Sequence, residues 1–135
     1  MAVVTVSPFI LKDVILEIAV NEYQAACSSV EFTNTTNIVR FTGLGNNTHT
    51  VASTPEWSCV ITFAQDWETA GSLSQYLLAN AGAKVPAEFK PQSGSGPSFT
   101  ANLTLVAPNI GGTGGAIAVS SVTLGSDEPV LVPGL

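Results

Sequence analysis

Side chains able to do chemistry are few in this chain, and they are scattered. His49 is the single histidine. It lies in the stretch 43–54, Gly-Leu-Gly-Asn-Asn-Thr-His-Thr-Val-Ala-Ser-Thr. A general base needs a partner that orients its imidazole. No Ser-His-Asp or Cys-His arrangement is legible around His49, so it reads as an incidental loop residue. Asp66 and Glu68 flank Trp67. A carboxylate pair can act as acid and base, but acids just before a helix are ordinary partners of its dipole. Gly111-Gly-Thr-Gly-Gly115 has the glycines of a phosphate loop without the Lys-Ser or Lys-Thr that should follow, so it reads as a flexible connection. Two thiols, Cys27 and Cys59, and one histidine do not make a metal site. The thiols read as small buried groups, with a disulfide as the lesser alternative. Trp57 and Trp67 carry faces that stack on a sugar or a base. Trp57 falls on the apolar side of its strand and reads as core, while Trp67 stands at a boundary and stays open. The residues predict no enzyme, no cofactor and no metal.

The elements that position these residues centre on the stretch 55–82. Trp57, Cys59, Ile61 and Phe63 alternate with Ser58, Val60 and Thr62, which predicts a strand. The period then changes. Leu73, Tyr76, Leu77 and Ala81 recur at helical spacing and predict a core-facing helix that leaves Ser74, Gln75 and Ala79 outward or at a subunit contact. Ser72 with Gln75 fits a capping box, and Gly82 fits the glycine past a helix end. Upstream, residues 1–11 predict an extended apolar arm, because Pro8 disfavours a helix and Val-Val-Thr-Val favours extension. Asp13 to Val20 predicts a strand with Val14, Leu16, Ile18 and Val20 toward the core and Asp13 and Glu17 on its other face. Tyr23 to Phe32 and Thr36 to Thr42 predict two more, with a turn at 33–35. Residues 43–54 predict a long loop without periodicity. Lys84 to Lys90 predicts a strand in which Pro86 marks an edge position or the strand's start. Strands over 99–105 and 116–124 follow, then an apolar tail over 126–135. About seven strands and one helix predict a mainly β domain, a sandwich or partly open half-barrel with a flanking helix.

At 135 residues the chain predicts one domain. Only 10% of its residues are charged while 45% are hydrophobic, against roughly 25% charged in an ordinary soluble domain. Either much of the surface is buried against other chains, or Ser, Thr, Asn and Gly cover it. Net charge is −6 with four basic residues, which disfavours phosphate binding. No apolar run approaches the roughly 18 residues that span a membrane. The N-terminus does not read as a signal peptide, so synthesis in a cytoplasm is expected, and the Asn-x-Ser/Thr matches at Asn34, Asn46 and Asn102 read as chance.

Five stretches, taken together, carry a resemblance. They are Trp57-Ser-Cys-Val-Ile-Thr-Phe-Ala-Gln-Asp-Trp67, Ser72-Leu-Ser-Gln-Tyr-Leu-Leu-Ala-Asn-Ala-Gly82, Phe89-Lys-Pro91, Pro97-Ser-Phe-Thr-Ala-Asn-Leu-Thr-Leu105 and Gly111-Gly-Thr-Gly-Gly-Ala116. In their order and spacing the chain resembles the major tail tube proteins of non-contractile long-tailed bacteriophages, especially small ones from phages of actinobacteria. None of these stretches is a catalytic signature. The resemblance implies a virion structural protein, with hexameric rings stacked into a hollow tube. Strands of neighbouring subunits would join into one barrel. A tape-measure protein would fill the lumen during assembly, tail terminator and tip proteins would close the ends, and viral DNA would pass without specific binding. It implies no cofactor, no membrane and no active site. The immunoglobulin-like domain of larger relatives is not expected here.

In such an assembly the stretch 43–54, with Gly43, Gly45, Asn46, Asn47, Thr48, His49 and Thr50, holds the position of the contact loop. It would be mobile in a free subunit and ordered by a neighbour. An acidic lumen would repel phosphate. Asp13 and Glu17 are the candidates for it, with an ordinary solvated outer face as the alternative and Glu22, Glu31 or Glu88 as substitutes. Two other classes compete with a tube. One is a sandwich-type carbohydrate-binding or adhesion module using Trp67 or the long loop. The other is a different ring-forming tail protein, a terminator or the tube of a contractile machine.

Overall fold

The computed structural model describes residues 2–92, 94 and 96–134. The chain is mainly β with a single helix. The strands are β1 (Ile15–Ile18), β2 (Asn21–Glu22), β3 (Cys27–Thr35), β4 (Ile38–Thr42), β5 (Thr48–Ala52), β6 (Glu56–Ala64), β7 (Lys84–Lys90), β8 (Ser98–Thr104), β9 (Val119–Ser126) and β10 (Val130–Val132). The helix α1 (Leu73–Ala79) follows β6, and a 3-10 turn over Gln24–Ala26 precedes β3. The seven expected strands are present with shifted ends. The three further ones, β2, β5 and β10, come from the residues between the first two expected strands, from the stretch expected to be a loop, and from the tail.

The main sheet runs β2-β1-β7-β8-β9-β6-β3, with β10 on β8. It has two halves. β6 lies between β3 and β9 along its whole length, whereas β8 meets β9 at only two register positions, Leu103↔Ser126 and Thr104↔Gly125. The sheet folds over at this short joint, and its apolar faces close on each other. Leu16 and Ile18 of β1, Leu103 of β8, Cys59, Ile61 and Phe63 of β6 and Leu124 of β9 are fully buried in one cluster. Each such large side chain contributes about 1.5–3 kcal/mol. Opposite the joint, Phe32 of β3 stacks on Phe89 of β7 with ring centroids 6.0 Å apart. That contact brings the β3 edge of one half of the sheet against β7 of the other.

α1 closes one end. Leu73 and Leu77 enter the core, and Tyr76 packs beside it against Tyr23, centroids 5.9 Å apart. Ser72 caps the helix, its hydroxyl accepting from Gln75 N. The capping box is half-formed, because the Gln75 amide donates to Trp67 O at 2.6 Å rather than back to Ser72. Two expectations for this helix are corrected. Ser74 is buried, not outward, because Asp66 N donates to its hydroxyl at 3.2 Å. Ala81 is exposed beyond the helix, because Asn80 N already caps Tyr76 O and Gly82 (φ 90°) turns the chain so that its N–H reaches Leu105 O.

Three strand expectations are corrected as well. β1 is only four residues long. Ala19 takes φ 60° and turns the chain, so Val20 points into water at 84% exposure instead of into the core. The expected turn at 33–35 is strand; β3 is interrupted only at Thr36-Asn37, the chain runs on into β4, and it reverses at Gly43–Asn47. Pro86 does not mark an edge, since β7 lies between β1 and β8. Its carbonyl accepts from Ala19 N where β1 has just ended, so its missing N–H falls beside no strand.

Candidate assembly surfaces

The stretch 43–54 is a β-hairpin arm rather than a loop. β4 and β5 pair antiparallel, with Ile38↔Ala52, Val39↔Val51, Arg40↔Thr50, Phe41↔His49 and Thr42↔Thr48 in register. They form a separate two-stranded sheet. Because β3 leads into β4 and β5 into β6, the arm is the distal continuation of the β3–β6 hairpin, reaching roughly 17 Å beyond it at strand rise. Its base is tied by Ser53 N to Asn37 O and by Asn37 N to the Ser53 hydroxyl. Its turn is tied by Gly43 N to Asn47 O and Asn46 N to Gly43 O, with Asn46 at φ 65°. The left-handed backbone of Asn46 is what this tight turn asks for, so a residue that looked merely permissive is fitted to it.

None of the ten strand residues in this arm is buried. Cross-strand partners share a face, so Val39, Phe41, His49 and Val51 form one apolar side, while Ile38, Arg40, Thr42, Thr48, Thr50 and Ala52 form the other. Phe41 is 65% exposed and Leu44 at the tip is wholly exposed. An isolated two-stranded hairpin is marginal in water. The arm leaves apolar residues exposed on both of its faces.

The N-terminal residues 2–11 form no strand or helix and are exposed throughout, with Val3, Val4, Val6, Phe9 and Ile10 bare. Gln92 Nε2 donates to Ile10 O at 3.2 Å, and a bridge pairs Lys12 with Gln92. β3, nine residues long, is an edge strand of the main sheet. Such an edge is an open template for another chain.

The two expected lumen acids do not share a face. Asp13 lies before β1 with φ 52° and borders a hollow with Leu11, Val14 and Cys27. Glu17 borders a different hollow with Glu88, Asp127 and Glu128. The bend at Asp13 breaks the alternation on which their pairing rested. Register instead sets Glu17 opposite both Glu22 and Glu88, a row of three carboxylates on the outer face of β2, β1 and β7. Like charges side by side are unfavourable, so this row belongs on a face that stays in solvent.

The other half of the sheet has a different outer face. Register brings together Ser29, Glu31, Thr33 and Thr35 of β3, Glu56, Ser58, Val60 and Thr62 of β6, and Ser121, Thr123 and Gly125 of β9. No lysine, arginine or aromatic residue is among them. The hydroxyls are partly engaged with one another and with the backbone. Thr62 Oγ1 donates to Ser121 Oγ at 3.3 Å, and Ser28 Oγ donates to Thr62 O at 3.4 Å. The sequence carried this signal in the Ser/Thr positions between core residues, but only register shows that three strands share it.

The residues weighed for chemistry are occupied structurally. Asp66 Oδ1 accepts from Glu68 N and Thr69 N at 3.0 and 3.1 Å, and these backbone donors hold its carboxyl below the usual range. Trp67 Nε1 donates to Gln65 Oε1 at 3.1 Å. Burial pushes the thiols up, Cys27 to about 11 and Cys59 to about 12, and both are free. Among the described residues no three His, Cys, Asp or Glu side chains converge as for a metal ion, and no helix is long and apolar enough to cross a membrane.

No protein-family model matches this chain, and no curated protein does. Solved structures do. A chain of the cryo-EM structure of an extracellular contractile injection system, the PVC sheath/tube terminator in the extended state, is 13% identical with a TM-score of 0.68, over 96% of this chain and 99% of that one. A chain of the PVC sheath-tube complex in the extended state is 12% identical with a TM-score of 0.68, over 93% and 92%. At these identities the likeness is one of fold, and it runs nearly end to end in both directions.

Proposed function

We propose that this chain is a ring-forming structural subunit of a tail tube-type assembly. The observation that carries the reading is the β4–β5 arm, which adds nothing to the core and presents apolar residues on both faces. A fold shared with chains of a sheath/tube terminator and a sheath-tube complex supports it. So does the open nine-residue edge of β3. The finer form of the reading is a tube of stacked hexamers in a non-contractile phage tail. It would enclose a tape-measure protein and then conduct DNA, and it rests on the sequence resemblance. In that tube we assign the channel wall to the hydroxyl-rich face of β3, β6 and β9 and the Glu17–Glu22–Glu88 row to the outside. Short neutral side chains and acids give a polyanion nothing to hold.

A second reading is favoured by one observation, the near-complete mutual coverage with the terminator structure. In it the chain forms a single capping ring and does not polymerise. Negative-stain microscopy of the purified protein at rising concentration separates the two. Stacked rings of extended length support the tube, and discrete rings that never stack support the terminator. A monomer at every concentration overturns the proposal.

A further inference from the structure

One hollow in the body is walled by aromatic rings, and the chain's own N-terminal arm stops at its rim. It measures about 490 Å³, and its lining includes Phe32, Trp57, Phe89 and Phe99 from the body, with Phe9 and Leu11 from the arm. The Phe32–Phe89 stack forms one wall. Trp57 Nε1 is shielded from water and has no acceptor, a costly state for an indole N–H. Phe9 remains 61% exposed at the rim, so the chain's own contact leaves the hollow unfilled. Residues 2–8 do not line it and lie in water, although Val3, Val4 and Val6 are apolar.

We propose that this hollow receives the N-terminal arm of a second copy of the chain. An apolar side chain from Val3–Val6 fills it. The inference rests on the assembly reading above, because it needs copies to meet. The arm has the required chemistry. It is extended, lies in no strand or helix over residues 2–9, and carries no charged side chain before Lys12. The other exposed apolar segments fit less well. The hairpin tip is closed on itself by Gly43 N to Asn47 O and Asn46 N to Gly43 O. β10 is already paired with β8. Within one chain only Phe9 and Leu11 reach the hollow. Each chain then offers one arm and one receptor, and successive copies pass their arms in one direction. That contact is head-to-tail, the kind that closes a ring or extends a stack.

The test is a disulfide trap in the assembled protein, using Val4→Cys with Pro129→Cys, a residue that lines the hollow. The native thiols interfere little, because burial raises Cys27 to about 11 and Cys59 to about 12. Mild oxidation of the double variant should give a covalent ladder longer than dimers, while each single variant gives dimers at most. Deleting residues 2–8 should leave a folded subunit and raise the concentration needed for assembly by about tenfold or more. Assemblies whose double variant cross-links only within the chain, or not at all, overturn the arm exchange and leave the assembly reading standing. Wild-type protein that stays monomeric throughout overturns that reading, and this inference with it.

Discussion

Gln65 and Gly111 exchange two hydrogen bonds. The Gln65 amide nitrogen donates to Gly111 O at 2.8 Å, and Gly111 N donates back to Gln65 Oε1 at 3.0 Å. The same amide also donates to Val119 O at 3.0 Å and accepts from Trp67 Nε1 at 3.1 Å. One side chain thus clips the glycine-rich connection before β9 to the end of β6 and orients Trp67, which leaves that indole N–H unavailable to a sugar. Gln65→Ala should cost about 1–3 kcal/mol in urea unfolding. Gln65→Glu should cost at least as much at pH 7, since a carboxylate would face two carbonyl oxygens, and acidification should recover part of the loss. Equal stability of all three proteins would show that the clip carries no weight.

Leu77 has no exposed surface, and Ser72 caps the helix that carries it. Leu77→Ala should destabilise by about 2–5 kcal/mol. Ser72→Ala should cost about 1 kcal/mol by removing the cap. Thermal unfolding followed by circular dichroism measures both, and a Leu77→Ala protein melting with wild type would mean that α1 is not docked.

The strand around Cys59 and the cap at Ser72 were legible because burial stamps a period on sequence. Cys59, Ile61 and Phe63 alternate with residues that face out, and Leu73 and Leu77 recur at helical spacing. The arm over 38–52 was half missed for the same reason. With both faces in water, Thr48 to Ala52 carries no in-and-out alternation, and the glycines and asparagines just before it, Gly43, Gly45, Asn46 and Asn47, read as a loop. The pairing of Asp13 with Glu17 on one face was lost to a backbone feature. The positive φ at Asp13 and Ala19 trims β1 to four residues, and no side-chain pattern announces a left-handed alanine. Faces shared by three strands, such as that of Ser58, Thr33 and Thr123, require register, which one chain's alternation does not supply.

Both thiols titrate upward because burial disfavours the thiolate. For an acid whose folded value is raised, the stabilising contribution is complete below the unfolded value, about 8.5. It is lost as pH rises from there toward the folded values of about 11 and about 12. Unfolding free energy should therefore be flat near neutrality and fall above pH 9 by up to about 1.4 kcal/mol per pH unit for each thiol. Cys59→Ala should be less stable at pH 7 but should show a shallower alkaline fall. An unchanged slope in that variant would assign the fall to other groups.

Phe41 projects from an arm that the core does not need. Phe41→Asp should leave the unfolding midpoint within about 0.5 kcal/mol of wild type, as exposed substitutions do. It should nonetheless abolish assembly, because a carboxylate would have to be desolvated in the contact. Light scattering against concentration measures this. Polymerisation of Phe41→Asp at the wild-type threshold would remove the arm from the interface.

The proposed channel wall makes a prediction about size. Thr123 lies on the hydroxyl-rich face of β3, β6 and β9, and Glu88 lies in the carboxylate row across the fold. Both are exposed in the free subunit, so Thr123→Cys and Glu88→Cys should both react with small and bulky maleimides when dissociated. In assembled tubes a wall residue is reached only through the open ends. Thr123→Cys should then keep reacting with a small maleimide while a polymer-linked one is excluded, and Glu88→Cys should react with both. The reverse pattern would move the channel to the acidic face and restore Glu17, with Glu22 and Glu88, as its lining. Protection of Thr123→Cys from both reagents would instead bury that face between subunits. The physical basis is the charge pattern. In a narrow channel the field of each subunit's charges is repeated around the ring. A face carrying only Glu31 and Glu56 among short hydroxyl side chains repels phosphate gently along its length. A single Thr123→Lys change should therefore slow DNA passage through otherwise normal tubes.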